Sequence, residues 1–219
     1  MEHHGAREQK RLVHHQSWGE FVREPVTEKG MATRQRLLDA AERVFGANGY
    51  HDASIAEITR VAGVGLGTFY EYFDSKESIF KELVRYMSHE LRRRIAERVA
   101  AYPSRVEKER VGFQTFFEFV LDHRDLYWIV LQSQFVDEQT YKWYYQRLAE
   151  GYRRGLQDAQ ARGEVTVRDL DTLAYALLGM GSMLGMRWVL WENRLPPDEV
   201  IETLGQLVAA LLEAGSLPG

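Results

Sequence analysis

Hydrophobic side chains recur every three or four residues along nearly the whole chain, and this spacing predicts helices rather than strands. A strand-like alternation occurs only briefly, at residues 164–167. The pattern therefore predicts an all-α fold. The predicted helices span residues 33–48, 54–62, a short stretch after Gly65, 74–101, 105–122, 125–136, 138–162, 169–191 and 198–214.

Residues that start and stop helices support these boundaries. Gly49 follows the first apolar stripe and Gly63 follows the second, which is the usual position of a C-terminal glycine. Ser54 with Glu57, and Asp74 with Glu77, have the spacing of a capping box at a helix start. Tyr102 and Pro103 end the long helix. The chain thus divides into an amino-terminal group of short helices and a longer carboxyl-terminal group.

About a dozen residues separate the second predicted helix from the fourth, which leaves room for a tight turn and a short helix. This is the geometry of a helix-turn-helix unit. Gly63 permits the turn, Gly65 caps the short helix without a side chain, and Gly67 leaves its backbone bare for a close approach. Thr68, Tyr70, Tyr72 and Lys76 then offer hydroxyl and ammonium groups of the kind that contact phosphate oxygens. The same residues also fit a purely structural corner between two helices.

A longer stretch, "TRQRLLDAAERVFGANGYHDASIAEITRVAGVGLGTFYEYFDSKESIFKEL", resembles the DNA-binding domain of the TetR family of transcriptional regulators. The resemblance covers about 50 residues and rests on three sequence blocks in the expected order. It implies an N-terminal three-helix helix-turn-helix DNA-binding domain at 33–80, after an extension at 1–32. It also implies a C-terminal helical ligand-binding and dimerisation domain at 81–219, and a homodimer that reads two successive major grooves.

The resemblance assigns roles to individual positions of this helix-turn-helix. Ser54 and Thr68 match phosphate ligands, Tyr70 and Tyr72 match aromatics that contact the DNA backbone, and Lys76 matches a phosphate lysine, whereas Phe69 and Phe73 are expected to pack inward. Two positions depart from the pattern, because Gly65 stands where Ser is frequent and Leu66 where a polar base-reading residue is frequent. Leu66 can offer only an apolar contact, such as one to a thymine methyl group. We therefore expect direct readout to depend on Gly65, Gly67 and Thr68, with Leu66 as an apolar DNA contact.

Aromatic side chains are concentrated between residues 113 and 191, and tyrosines in this region recur at intervals of three and four. Most aromatics at helical spacing are core residues, but buried hydroxyl groups each need a partner, and a ring-lined pocket for a hydrophobic effector satisfies that need. Arg187 is a candidate anchor for an anionic group, or else a member of a surface ion pair. The predicted effector-binding residues are Phe113, Phe117, Trp128, Tyr144, Tyr145, Met183 and Arg187.

Glycines are unusual inside the apolar helix near 169–191, because each costs about 1 kcal/mol relative to Ala. Gly181 and Gly185 are four residues apart, so close approach of another helix would explain both. The last helix has a matching stripe of Leu204, Leu207, Val208, Leu211 and Leu212. Dimerisation through these two helices is one interpretation, and packing within the chain is the other.

Composition excludes several alternatives. The chain has 219 residues, no cysteine and a net charge of −4, while residues 29–95 hold 11 basic and 9 acidic side chains. Disulfides and cysteine-ligated metals are therefore excluded, and we expect no cofactor or metal. No uninterrupted apolar run reaches about 18 residues, and the first residues lack the apolar centre of a secretion signal, so we expect a cytoplasmic protein without a membrane partner.

The leading hypothesis is a ligand-responsive regulator, most simply a repressor that a hydrophobic small molecule releases from its operator. Acyl or aryl thioesters, aromatic compounds and lipophilic drugs all fit a ring-lined cavity. The alternative is an all-α enzyme with the aromatic cavity as its active site. An enzyme requires convergent acid, base or metal groups, and the sequence has neither a di-iron Glu-x-x-His pair nor a phosphate-binding loop.

Overall fold

The computed structural model describes residues 27–214, and within this range the secondary structure is helical with no strand. This confirms the predicted all-α fold. Within residues 27–214, nine α-helices follow one another, and a short π-helix extends the eighth. Their bounds are α1 Glu28–Asp52, α2 Ile55–Ala62, α3 Leu66–Tyr72, α4 Lys76–Val99, α5 Arg105–Asp122, α6 Arg124–Val136, α7 Glu138–Ala161, α8 Leu170–Gly185, the π-helix Met186–Trp191 and α9 Asp198–Leu212.

Helix α1 begins five residues before the predicted start at Thr33. The Thr27 hydroxyl oxygen accepts a hydrogen bond from the Gly30 amide at 3.1 Å, and the Thr33 hydroxyl donates to the Lys29 carbonyl at 2.9 Å. Local capping thus offsets the low helix propensity of Gly30, which the apolar pattern does not reveal. Residues 28–32 are therefore helical rather than part of an extension, while residues 1–26 of the predicted extension lie outside the described range.

The predicted stop signals around α2 are confirmed. Gly49 interrupts the helical backbone of α1 with φ of 73°, and Gly63 ends α2 with φ of 67°, a region that favours glycine. The Ser54 hydroxyl accepts from the Glu57 amide at 3.1 Å. The reciprocal half of the predicted capping box is replaced, because the Glu57 carboxylate accepts from Asn48 Nδ2.

The predicted cap of α4 is wrong by one residue. Ser75, not Asp74, caps the helix, and its side chain and that of Ser78 each accept from the other's backbone amide, at 3.0 and 3.1 Å. The exposed Asp74 makes no part of this box. The "SKES" sequence provides a serine pair that is as suitable as the acidic pair, and the buried position of Ser78 decides between them.

One continuous hydrophobic core joins the amino-terminal and carboxyl-terminal helices. α4 packs against α1 at one end and against α5, α6 and α7 along its length, while α1 also packs against α6. Fully buried members of this core lie in both regions, among them Phe45, Phe80, Phe113 and Leu156. The helix-turn-helix is therefore attached to the rest of the chain through α1 and α4 rather than through a flexible linker.

The glycine pair of α8 packs within the chain. A β-carbon on Gly181 would lie 3.0 Å from Phe113 Cε1, and one on Gly185 would lie 2.8 Å from Phe116 Cε1. The interpretation that these glycines admit a second subunit is therefore wrong, because α5 occupies the space. By length and composition Leu170–Trp191 would be able to cross a membrane, but half of its most apolar window is buried inside the protein, as expected of a core helix.

Candidate nucleic-acid interface and effector cavity

α3 is held to the core by its two phenylalanines. Phe69 is fully buried and Phe73, which follows the helix, is 1% exposed, which confirms that both pack inward. Their rings lie 5.8 Å apart, and the Arg34 guanidinium of α1 lies over the Phe73 ring at 5.5 Å. This anchoring fixes which face of α3 is turned away from the protein.

The outer face of α3 carries the residues predicted to meet DNA. Leu66 and Tyr70 are 53% and 52% exposed, while Thr68 and Tyr72 are half-buried. Ser54 is exposed at the start of α2, and its hydroxyl is already the cap of that helix. The structure thus brings six of the eight predicted residues, Gly65 to Thr68, Tyr70 and Tyr72, onto or beside one short helix, with Ser54 at the preceding helix start.

Gly65 and Gly67 are not required by packing within the chain. A β-carbon on either residue would meet no atom within 4 Å, and neither residue has a positive φ. Gly65 is the N-cap of α3, a position where Gly is favoured over Ala, whereas Gly67 in the first turn costs stability relative to Ala and needs a reason outside the subunit. A bare backbone that must approach another surface closely is such a reason.

Lys76 has a different environment from the one predicted. Its ammonium group donates to the carbonyls of Tyr50, His51 and Ala53 at 2.7, 3.1 and 2.8 Å, and it lies 4.5 Å from the centre of the Tyr50 ring. All three of its N–H groups are therefore used at the carboxyl end of α1. A phosphate would have to displace a carbonyl, so these contacts support a structural role for Lys76 instead of the predicted phosphate contact.

A second candidate site is a small cavity of about 30 Å³ in the carboxyl-terminal helices. Side chains from α4, α5, α6, α7 and α8 line it, and none of these described residues carries a charge. A cavity of this size holds one or two water molecules. The lining consists of Leu91, Ile95, Phe113, Phe116, Tyr127, Tyr144, Leu148, Tyr152, Leu177, Leu178, Gly181 and Ser182.

Three tyrosine hydroxyls face this region, and their environments differ. Tyr127 donates a long 3.5 Å hydrogen bond to the Ser182 carbonyl, and burial raises its pKa to about 12. Burial and the nearby Glu109 carboxylate raise the pKa of Tyr152. Burial also raises the pKa of Tyr144. All three phenols are therefore neutral near pH 7, and each hydroxyl is able to donate or accept a hydrogen bond.

The charged side chains near the cavity are Arg105 and Glu109, and neither of them lines it. Glu109 is 2% exposed and forms an ion pair with Arg105, and burial raises the pKa of this carboxyl despite the pairing. Arg105 lies against α7 at Gly155, where a β-carbon would come within 2.3 Å of Nη1. Neither residue of this ion pair lines the cavity, whereas Tyr152, whose pKa Glu109 raises, does.

Comparison with known proteins identifies the family. The family model described as bacterial regulatory proteins of the tetR family matches residues 37–83, which include α2, α3 and the start of α4. An uncharacterised HTH-type transcriptional regulator of Bacillus subtilis, YdgC, is 30% identical over 193 residues, which cover 86% of this chain and 97% of that protein. The chain belongs to the TetR family.

Solved TetR-family structures share this fold across both regions. Salmonella enterica GusR aligns with a TM-score of 0.74 at 22% identity, over 86% of this chain and 98% of that one. FadR from Bacillus subtilis, solved in complex with stearoyl-CoA, aligns with a TM-score of 0.69 at 22% identity, over 83% and 98%. At these identities the likeness establishes the common architecture of this TetR-family regulator, with an amino-terminal helix-turn-helix and a helical carboxyl-terminal domain.

Only part of the predicted effector site lines the cavity of this TetR-family chain. Phe113 and Tyr144 line it, whereas Phe117 is buried beside the lining residue Phe116, and Tyr145 packs against Tyr144 from outside. Trp128 and Met183 face the surface, at 42% and 56% exposure, and do not line the cavity, so the structure gives their predicted role no support. Helical spacing indicates that a residue lies on a face, but not whether that face meets a cavity or solvent.

Arg187 forms a surface ion pair, which is the alternative to its predicted role as an anchor for an anionic group. Its Nε lies 3.7 Å from a Glu192 carboxylate oxygen, and its guanidinium lies 4.8 Å from the centre of the Trp188 ring. These contacts, and its absence from the cavity lining, support the surface ion pair rather than the anchor of an anionic group. Tyr127, Tyr152 and Ser182 were missed, although Tyr152 lies two helical turns from Tyr144 on the same face, a signal that was present in the sequence.

Proposed function

We propose that this TetR-family regulator is a ligand-responsive repressor, which binds an operator through α3 as a homodimer and leaves it when a hydrophobic small molecule enters the cavity. The observation that carries this proposal is the course of α4. Its first residue, Lys76, is bonded to the end of α1 beside the helix-turn-helix, and its Leu91 and Ile95 line the cavity. One helix thus extends from the end of α1, beside the helix-turn-helix, to the cavity, and this course supports a coupling role.

Residues on and beside the outer face of α3 are the proposed DNA contacts. Leu66, Gly67 and Thr68 would face base edges, Ser54, Tyr70 and Tyr72 would contact phosphates, and Gly65 would allow the backbone to approach. Open space around both glycines supports this arrangement. The corresponding domain proposal assigns residues 33–80 to DNA binding and 81–219 to effector binding and dimerisation, with residues 28–32 now joined to the first helix.

The proposed homodimer pairs α8 and α9 with their counterparts. Gly181 and Gly185 pack against α5 and therefore do not support this dimer. Exposed apolar side chains on α8 and α9 support it instead. Tyr175 and Met183 on α8 are 44% and 56% exposed, and Leu207 on α9 is 52% exposed. Burial of these side chains in a subunit interface would remove apolar surface from water. Two α3 helices would then reach successive major grooves, about 34–36 Å apart.

The proposed effector is an acyl or aryl thioester, an aromatic compound or a lipophilic drug, because the lining is apolar with a few hydroxyl groups. The cavity of about 30 Å³ is too small for such a molecule, so binding requires an expanded arrangement of the helices. An effector that binds the expanded state better shifts the population away from the DNA-binding state. The regulator would act in the cytoplasm, where operator and effector meet.

The test is a mobility-shift titration of the full chain against the DNA upstream of its own gene. We expect specific binding as a dimer, and release by at least one compound from a panel of acyl and aryl thioesters, esters and aromatic compounds. Each compound is also scored by thermal shift. Specific operator binding that no panel member reverses, together with no thermal shift, would leave a constitutive DNA binder and contradict ligand response.

A further inference from the structure

The Tyr144 hydroxyl is distinct among the polar groups of the cavity. The residue is 1% exposed and lines the cavity, and its Oη has no hydrogen-bond partner in residues 27–214. The other two phenols of the lining differ from it, since Tyr127 donates to the Ser182 carbonyl and the Tyr152 hydroxyl is not among the buried unpaired groups and lies near the Glu109 carboxylate. Buried hydroxyl groups are rarely left unpaired, because an unmade hydrogen bond destabilises the protein.

The surroundings of Tyr144 also restrict the charge of any group that meets it. The lining has no Lys, Arg, Asp or Glu among its described members, and the nearest buried ion pair, Arg105 with Glu109, is already mutually neutralised behind Tyr152. An ionised carboxylate or ammonium group in the cavity would lose its hydration without gaining an opposite charge. A neutral acceptor loses much less, and a neutral phenol can donate to it.

We propose that the effector places an uncharged carbonyl group, as in a ketone, ester, amide or thioester, against Tyr144, whose hydroxyl donates a hydrogen bond to the carbonyl oxygen. This inference rests on the proposed function and narrows its effector class. Free carboxylates and hydrophobic cations are excluded as the buried group. An acyl coenzyme A would meet this requirement only if its thioester carbonyl lay inside the cavity and its charged nucleotide lay outside the cavity.

A matched ligand series tests the inference on the full-length protein, by isothermal titration calorimetry and thermal shift. Acetophenone and ethylbenzene have nearly the same shape and differ by the carbonyl oxygen, while benzoate and benzyltrimethylammonium carry the two charges. We expect acetophenone to bind about tenfold more tightly than ethylbenzene. The charged compounds should show no measurable binding and no thermal shift. Methyl benzoate and benzoyl-CoA distinguish a free ester from a thioester as the source of the carbonyl.

Tyr144→Phe should abolish the preference for acetophenone and leave ethylbenzene binding unchanged. It should also leave the melting temperature of the ligand-free protein equal or higher, because it removes an unpaired buried hydroxyl. Tyr152→Phe is the matched control, since the Tyr152 hydroxyl lies near the Glu109 carboxylate and is not an unpaired buried group, and it should retain the preference. A preference that survives Tyr144→Phe, a response to benzoate equal to that to acetophenone, or no binding of any neutral member would overturn the inference.

Failure of the inference and failure of the proposed function have different signatures. Tyr144-dependent binding of acetophenone without release of operator DNA would support the carbonyl site and contradict the repressor mechanism. Release of operator by neutral ligands with no dependence on Tyr144 would contradict the carbonyl site and support the mechanism. The mobility-shift titration is therefore repeated with each ligand and with both Tyr variants.

Discussion

Asp125 of α6 lies directly against the backbone of Gly46 in α1. A β-carbon on Gly46 would come within 2.4 Å of Asp125 Cγ and 2.6 Å of Asp125 Cβ. Because Cβ is fixed to the backbone, rotation of the Asp125 side chain alone does not relieve this contact. The close packing of α1 on α6, which joins the helix-turn-helix to the carboxyl-terminal helices, therefore depends on a glycine.

Gly46→Ala should separate these two helices locally and lower the free energy of unfolding by about 1–3 kcal/mol. Chemical denaturation followed by circular dichroism measures the change. Gly151→Ala in α7 is the matched control, because a β-carbon there meets no atom within 4 Å. The control should gain about 0.5–1 kcal/mol from better helix propensity. If both variants gained the same free energy of unfolding, the contact between Gly46 and Asp125 would not require a glycine.

Stability should fall as pH rises, because Glu42 near the same contact is protonated in the folded state. Burial and the carboxylates of Asp125 and Asp39 raise the pKa of Glu42 to about 7, against the opposing charge of Arg43, and Tyr86 of α4 also lies nearby. Between its ordinary value of 4.5 and about 7, the folded chain holds a proton that the unfolded chain releases. The free energy of unfolding therefore decreases through this window.

Glu42→Gln should raise the melting temperature at about pH 8 and change it little at about pH 5, since only the charged form is penalised. Thermal unfolding across this range, with Asp39→Asn as the comparison, measures the effect. The Asp39 variant should give a smaller gain, because it removes one neighbouring charge and leaves Glu42 buried. A gain that is the same at both pH values would contradict the assignment.

Gly67→Ala should increase the stability of the protein and weaken its binding to DNA. The added methyl group meets no atom of the subunit, so the free energy of unfolding should rise by about 0.5–1 kcal/mol. The same methyl group would stand between α3 and DNA, and operator affinity should fall at least about tenfold, or 1.4 kcal/mol. Denaturation and mobility shift on one preparation test both. Unchanged operator affinity would remove Gly67 from the interface.

Lys76→Met should destabilise the protein in the absence of DNA by about 1.5–3 kcal/mol, because three carbonyls lose a charged donor. Lys142→Met is the control, since Lys142 forms only an exposed ion pair with Glu138 and should be nearly neutral. Thermal unfolding compares them. If Lys76→Met kept full stability and weakened all DNA sequences alike, the phosphate role would be restored.

Two adjacent positions of α9 test the dimer. Leu207 is 52% exposed and Val208 is fully buried. Leu207→Arg should give folded monomers that lose operator binding, whereas Val208→Arg should unfold the chain because it buries an unpaired charge. Sedimentation measures the oligomeric state, and circular dichroism the fold. A Leu207→Arg protein that remains dimeric would locate the interface elsewhere.

Sequence periodicity was sufficient for the number and order of the helices, because each buries a continuous apolar stripe. It failed where two local solutions compete. The start of α1 depends on the Thr27 cap, and the start of α4 depends on whether Ser75 or Asp74 accepts the first amide. Such choices are decided by burial of neighbouring side chains, which the local sequence does not contain.

The candidate sites were predictable to different degrees for a physical reason. The outer face of α3 follows from a short helix anchored by two phenylalanines, so Leu66 and Tyr70 were assigned correctly to the surface. The cavity is formed by five helices that meet at angles which the sequence does not specify. Phe113 and Tyr144 line the cavity, whereas Trp128 and Met183, which have equally regular helical spacing, are exposed to solvent.

The length of α4 converts a small angular change into a large displacement. At about 1.5 Å per residue, the helix axis between Lys76 and Ile95 is about 28 Å long. A tilt of about 10° at the cavity end would move the other end by about 5 Å, which exceeds the separation at which a hydrogen bond to a phosphate or a base survives. Because Lys76 bonds that end to α1, the three amino-terminal helices would move together, and the packing of α1 on α6 would shift with them. In the proposed mechanism, release of DNA would then require no unfolding and no rearrangement of α3 itself.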